Sequence, residues 1–168
     1  MWLDIEYSKD HMYGVWDKSA FVDPARMLDE LDKRGRKLLI IIDPHLKKTN
    51  NYYLYKEAKE QGLLVRSPDG ASDYEAVCWS GEASWIDMFN PRTWPWWIGQ
   101  YLLPGGKLEA NARNLFVWND MSEPAIFTGP EVTSPKDVLH YPRWENRDLH
   151  NINGLIFHNL TSIGLTRR

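Results

Sequence analysis

The run Lys37-Leu38-Leu39-Ile40-Ile41-Ile42-Asp43 narrows the folds open to this chain more than any other stretch. Its apolar residues are far too few to cross a bilayer, which takes roughly 20. They do not alternate with polar residues, so both faces of the segment must be covered, as in the parallel sheets of α/β proteins. Two more segments share this character, Trp2-Leu3-Asp4-Ile5-Glu6 and Asn114-Leu115-Phe116-Val117-Trp118-Asn119-Asp120. All three read as buried strands, and each carries an aspartate at or near its end: Asp4, Asp43 and Asp120.

Helical signals lie between and after the strands. Asp23 is a good N-cap, Pro24 suits the first helical position, Met27, Leu28 and Leu31 share a face, and Gly35 can close the end. A second helix is expected from Tyr53 to Gln61, stopped by Gly62, and a third from Asn90-Pro91 through Trp97 to Leu102, delayed or kinked by Pro95. A last helix is expected from about Glu145 to Leu165, with Leu149, Ile152, Ile156, Leu160 and Ile163 as its apolar stripe and Asn153-Gly154 as its weak point. Between Leu63 and Phe89 the pattern predicts no helix. It predicts a turn at Ser67–Gly70 and two short strands, Tyr74–Val77 and Trp85–Phe89. Leu103 to Arg113 reads as an exposed loop. Strands alternating with helices imply a parallel sheet with right-handed crossovers, and the pattern alone fits an open sheet or a barrel.

Composition excludes several kinds of function. Of 168 residues, 43% are hydrophobic and 26% charged, enough apolar surface to form a core. The 20 basic and 23 acidic side chains are spread evenly, with no basic stripe for nucleic acid and no acidic tail. No run is long enough to span a membrane, and the N-terminal "MWLDIEY" lacks the pattern of a secretory signal. The single Cys78 forbids an internal disulfide. The chain has 9 Trp and 8 Tyr, and most of these are expected to pack in the core.

The aspartates carry the chemical argument. Alternate residues of a strand share a face, which puts Asp120 on the side of Trp118, Asp43 on the side of Ile41, and Asp4 on the side of Trp2. In parallel α/β architectures ligands bind at the C-terminal strand ends. Any one aspartate after a strand is more simply a turn or cap residue. Three on three strands, two beside tryptophans, favour an acidic pocket with aromatic walls.

These residues also carry a resemblance. "FVWNDMSEP" (Phe116–Pro124) resembles the catalytic signature of glycoside hydrolase family 31, the retaining α-glucosidases. "MWLDIEY", "LLIIIDPH", "VCWSG" with "WIDMFNP", and "RDLHNINGL" resemble that family in the same order, over almost the whole chain. The resemblance implies a (β/α)₈ barrel, with residues 1–168 as a partial catalytic barrel domain holding about its second to fourth strands. It implies Asp120 as nucleophile, Glu123 as a supporting carboxylate, Asp4 and Asp43 as ligands of glucose hydroxyls, and Ile41, Trp79, Trp118 and Met121 as apolar walls. His45 is left behind these, supporting the site. No cofactor or metal is implied. The resemblance further implies action on terminal α-linked glucose of N-linked glycans, in the endoplasmic-reticulum lumen, with a non-catalytic β subunit as partner of the parent enzyme. A retaining glycosidase needs a second carboxyl roughly 5–5.5 Å from the nucleophile as acid and then base. In the family this is an aspartate on a later strand, in a motif absent here, so the chain alone is expected to be inactive.

Three other readings stand beside this one, one of them an inactive fragment whose three strands expose an unpaired edge and tend to aggregate. Asp43, His45, Asp120 and Glu123 could hold a cation in a metal-dependent hydrolase, although there is no His-x-His pair and no HExxH. A carbohydrate-binding protein without turnover would keep the pocket and need no acid.

Overall fold

The computed structural model describes all of residues 1–168. Its elements are β1 (Trp2–Leu3), α1 (Pro24–Asp32), β2 (Leu38–Ile41), β3 (His45–Lys47), α2 (Tyr53–Glu60), β4 (Glu75–Cys78), β5 (Gly81–Trp85), α3 (Thr93–Gly99), β6 (Leu115–Trp118), β7 (Leu139–His140), β8 (Trp144–Glu145), α4 (Asn146–Leu149) and α5 (Asn153–Thr166). The three apolar segments form one parallel sheet in the order β1-β2-β6. Leu39 pairs with Trp2 on one side and Phe116 on the other, and Ile41 pairs with Trp118. Leu38, Ile40 and Ile41 are buried, as an unalternating apolar run requires. The fold class is α/β, with a parallel sheet joined through helices.

Between β2 and β6 the chain makes an excursion. It forms an antiparallel sheet β3-β5-β4 over a small core of Val65, Cys78, Ala83, Trp85, Ile126 and Val138. The hairpin between β4 and β5 closes over Trp79-Ser80, with Cys78 opposite Gly81. Gly81 has φ +84, a left-handed conformation that a residue with a Cβ adopts only at a cost. The second strand of this hairpin is therefore Gly81–Trp85 rather than the expected Trp85–Phe89. Asp87 ends it by accepting the Phe89 N–H (3.1 Å), a local bond that competes with a sheet ladder. The same carboxylate accepts from His140 Nδ1 (2.9 Å) and the Tyr141 N–H (2.8 Å), which ties the β7–β8 hairpin down.

Other expectations are corrected by similar local chemistry. The first strand stops at Leu3, because the Asp4 carboxylate accepts the Ile5 N–H (2.7 Å) and starts a 3-10 turn over Ile5–Tyr7. Asp23 caps α1 as expected, accepting the Arg26 N–H at 2.9 Å. The third helix begins at Thr93 because Asn90 Oδ1 takes the Arg92 N–H (3.0 Å). Pro95 sits in its first turn, where N–H groups have no helical partner anyway, so it does no harm. The Leu103–Arg113 segment is not simply exposed. Leu108 is buried, and Glu109 takes the Trp16 N–H on its carboxylate (2.8 Å) and the Trp16 indole N–H on its carbonyl (3.1 Å).

The last helix is broken into α4, a 3-10 turn at His150–Ile152, and α5, just before the expected weak point. Its buried face is also rotated from the expected stripe: Asn153, Phe157, Leu160, Thr161 and Gly164 face inward, while Ile152 is exposed. The cause is Trp97 of α3. Its ring packs on Phe157 (5.4 Å between centroids), and its indole N–H donates to Thr161 Oγ1 (2.9 Å). Gly164 lets α5 approach so closely that a Cβ there would lie 2.7 Å from Tyr101 Cδ2. This contact between helices yields a prediction. Thr161→Val keeps the side-chain shape but strands the buried Trp97 N–H, and should lower stability to urea by about 1–3 kcal/mol. Ser162→Ala on the exposed face should change it by less than about 0.5 kcal/mol. Equal midpoints for the two variants would contradict this packing.

Candidate active site

Asp4, Asp43 and Asp120 follow the C-terminal ends of β1, β2 and β6, and all three line one cleft of about 340 Å³. Ile41, Trp79 and Met121 line it with them. Two further lining residues, Ile5 and Glu6, were missed by the sequence reading. That reading ran the first strand through them. The turn started by Asp4 instead brings them round to the cleft, and the Asx-type capping chemistry of Asp4 was the signal available.

The cleft is held by bonds just beyond the strand ends. The Ile42 N–H donates to the Trp118 carbonyl (2.9 Å), and Asn119 Nδ2 donates back to the Ile42 carbonyl (2.9 Å). Asp43 and Asp120 thus leave adjacent strands side by side. The Met121 N–H donates to Asp120 Oδ1 (2.9 Å), while Met121 takes a left-handed backbone conformation with φ 56. A non-glycine residue there is strained, and such strain is most often kept at sites that use it. Ser122 Oγ donates to the Asp120 carbonyl at 3.1 Å, and Asn153 Nδ2 to the Ser122 carbonyl at 3.3 Å, so α5 also braces the loop.

Trp79 caps the hairpin tip with 53% of its surface exposed. Its ring stands edge-on to Phe127 (4.7 Å, 90°), and its carbonyl accepts from His11 Nδ1 (2.7 Å). A fixed, exposed indole beside carboxylates suits a ligand with hydroxyls on its edges and C–H groups on its face.

Two expected residues are not among those lining this cleft. Trp118, half-buried and edge-on to Trp2 (5.4 Å, 89°), pairs in register with Ile41, a lining residue. Glu123 is exposed and outside the lining, two residues past the Met121 turn. A four-ligand cation site from Asp43, His45, Asp120 and Glu123 is therefore not assembled, and no group of three acidic, His or Cys side chains has metal-holding geometry.

Asp43 is the electrostatic centre of the cleft. It is fully buried, and neither carboxylate oxygen has a hydrogen-bond partner of good geometry in the protein. Burial pushes its pKa up to about 7, with the charges of Asp120 and Asp4 adding to the rise. The Tyr13 hydroxyl, itself 2.9 Å from His45 Nε2, offsets part of it. His45 is also fully buried, and burial holds its pKa down to about 3, so it is a neutral imidazole.

These two shifts act on stability in opposite directions. For Asp43 the folded pKa of about 7 lies above the ordinary 3.8, so stability is full below 3.8 and is lost as pH rises through 7. For His45 the folded pKa of about 3 lies below the ordinary 6.5, so stability is full above 6.5 and is lost as pH falls through 3. Asp43→Asn removes only the first effect. It should stabilise the protein by on the order of a few kcal/mol at pH 8 and by almost nothing near pH 4. A melting-temperature difference that does not grow with pH would show that Asp43 is not the buried acid described.

The chain as a whole is similar to known proteins. The sequence profile of the glycosyl hydrolases family 31 TIM-barrel domain matches residues 1–168. The chain is 46% identical to neutral alpha-glucosidase AB of Mus musculus and 43% identical to glucosidase 2 subunit alpha of Schizosaccharomyces pombe, in both cases over the whole of this chain and 18% of the relative. It thus spans under a fifth of the length of these curated relatives. Among solved structures, a glucosidase II alpha subunit in its alpha3-Glc2-bound form superposes with a TM-score of 0.92 at 49% identity, over 98% of this chain and 18% of that one. An ER glucosidase II heterodimeric complex, of catalytic subunit and the binding domain of the regulatory subunit, gives 0.92 at 48% identity over the same shares. A profile that matches every residue, and relatives above 40% identity, leave one assignment: the chain belongs to glycosyl hydrolase family 31 and matches its TIM-barrel domain.

Proposed function

We propose that this chain carries the glucose-binding half of a retaining α-glucosidase site, with Asp120 as the nucleophile. The observation that supports this most is the convergence of Asp4, Asp43 and Asp120 on one cleft beside an exposed tryptophan. Asp120 Oδ1 is held by the Met121 N–H, which leaves Oδ2 without an assigned partner, and a short aspartate on a fixed loop can be aimed at an anomeric carbon. Asp43, buried at the base of the cleft, would accept sugar hydroxyls, and Asp4 at the rim would accept another. Ile41, Trp79 and Met121 would cover the apolar faces of the ring and exclude water, which strengthens charge interactions with an oxocarbenium-like transition state. Glu123 and Trp118 would support the loop and strand from behind. About strands two to four of the barrel would be present here.

In the reaction so read, an Asp120 oxygen attacks the anomeric carbon as the bond to the leaving sugar oxygen breaks and that oxygen takes a proton from an acid. Water then displaces Asp120, giving up its proton to the same group. The acid and base would come from parts of the enzyme beyond these 168 residues, which correspond to only 18% of the relatives' length. The substrate would be terminal α-linked glucose of N-linked glycans, acted on in the endoplasmic-reticulum lumen, with a non-catalytic β subunit as partner. Sequence identity to a glucosidase II catalytic subunit solved with its regulatory partner supports this.

The test uses the full enzyme containing this domain. Asp120→Ala should reduce release of phenol from an aryl α-glucoside by on the order of 10⁴-fold or more, as deletion of a catalytic group does, without loss of folding. Glu123→Gln should keep far more activity. Near-normal turnover by Asp120→Ala would refute the assignment. The chain of 168 residues by itself should release no phenol above background, since general acid help alone is worth about 10²–10⁴-fold.

A further inference from the structure

Behind the cleft, three fully buried polar side chains meet: Asp43, His45 and Tyr13. The Tyr13 hydroxyl is 2.9 Å from His45 Nε2, and Asp43 Oδ2 is 3.9 Å from the same nitrogen. His45 Nδ1 is buried with no partner, as are both oxygens of Asp43. The rings are held firmly. Tyr13 lies edge-on to His45 (5.3 Å, 82°), His45 packs on Trp85 (5.9 Å), and Tyr52 donates its hydroxyl to the Tyr13 carbonyl (2.7 Å).

The proton count decides how these groups bond. Neutral imidazole has one N–H. Placed on Nδ1, that N–H is a stranded buried donor. Nε2 then consumes the Tyr13 O–H, and Asp43 loses its one side-chain donor, keeping only the Asp120 backbone N–H. Placed on Nε2, the N–H donates to the Tyr13 oxygen, the Tyr13 O–H is free, and the adjacent acceptor is Asp43. Only a lone pair on Nδ1 then goes unused. The second arrangement gives Asp43 a side-chain donor and strands no buried N–H, so it is the stable one.

We infer that His45 and Tyr13 form a two-step hydrogen-bond relay that aims the Tyr13 O–H at Asp43 and holds Asp43 as a charged acceptor for sugar hydroxyls. Both are positioning residues; neither touches the substrate. The inference rests on the glucosidase reading of the cleft and adds what keeps its buried acid usable. Besides Tyr13, only the Asp120 backbone N–H favours the charged form; every other group facing Asp43 opposes ionisation or is neutral. Asp4 and Asp120 on the neighbouring strand ends, with Glu6 farther along the cleft, are carboxylates, and no Lys or Arg forms an ion pair with Asp43. Tyr7, Tyr52 and Cys78 are neutral, their pKa values raised by burial. Tyr13 is held in its O–H form by burial and by the Asp43 charge. Burial keeps His45 neutral down to about pH 3, so the relay persists wherever Asp43 titrates.

The readout is glucose binding against pH, measured by calorimetry on the full-length enzyme. Wild type should bind more tightly as pH rises through Asp43 ionisation. In Tyr13→Phe the midpoint should move up by about one pH unit, the usual effect of losing a hydrogen bond to the charged form. His45→Leu should move it in the same direction, and His45→Gln, whose amide N–H can stand in for Nε2–H, should return it toward wild type. If Tyr13→Phe does not fold, the Leu and Gln pair decides. An unchanged midpoint in folded Tyr13→Phe, or equal midpoints for His45→Leu and His45→Gln, would overturn the relay. A wild-type enzyme that binds no glucose at any pH would fail differently, overturning the glucosidase reading and the relay with it.

Discussion

Two hydrogen bonds beyond the strand ends hold this site together. The Ile42 N–H reaches the Trp118 carbonyl, and Asn119 Nδ2 reaches back to the Ile42 carbonyl, each at 2.9 Å. They extend the pairing of β2 and β6 past the last ladder residue. Asp43 and Asp120 therefore emerge in a fixed relation, although neither lies in a strand. The left-handed turn at Met121 then gives Asp120 a backbone donor. Loosening the clasp would let the two carboxylates drift apart, and repulsion between them would drive that drift.

The site is built against stability. Asp43 is buried beside two other carboxylates, with no cation to balance it. A protein selected only to fold would place an apolar or amide side chain there. The surrounding tyrosines explain how the arrangement survives. Tyr7 donates to the Ile41 carbonyl, Tyr52 to the Tyr13 carbonyl, and Gly14 N–H to the Tyr7 hydroxyl, so the polar groups around Asp43 are mostly satisfied among themselves. Asp43 itself lines the cleft, where a hydroxyl-rich ligand would complete its bonding.

Much of this was legible in the sequence because parallel strands buried on both faces leave a clear apolar signature. Leu38–Ile41 and Leu115–Trp118 fall inside the expected segments, and the aspartates after them share one edge. What failed were ends and phases, which depend on side-chain bonds to the backbone. Asp4 and Asp87 each end a strand by capturing a nearby N–H. Trp118, which the family resemblance puts on the apolar wall, is not among the residues lining the cleft, although its strand partner Ile41 is. The inward face of α5 was set by Trp97 and Tyr101, side chains far away in sequence that no local periodicity could reveal. Tyr13 carried no motif and was found only by its distance to His45.

The central claim, that Asp120 is the attacking carboxylate of a retaining mechanism, is tested most directly by trapping the glycosyl-enzyme intermediate. A fluorinated glucosyl fluoride, whose ring fluorine slows the second step, should leave a covalent glucosyl adduct on the full-length enzyme. Peptide mapping by mass spectrometry should place the adduct on the peptide containing Asp120, with the label absent from Asp120→Ala. An adduct on Asp43, Glu6 or Glu123 instead, or turnover with inversion and no adduct, would contradict the account.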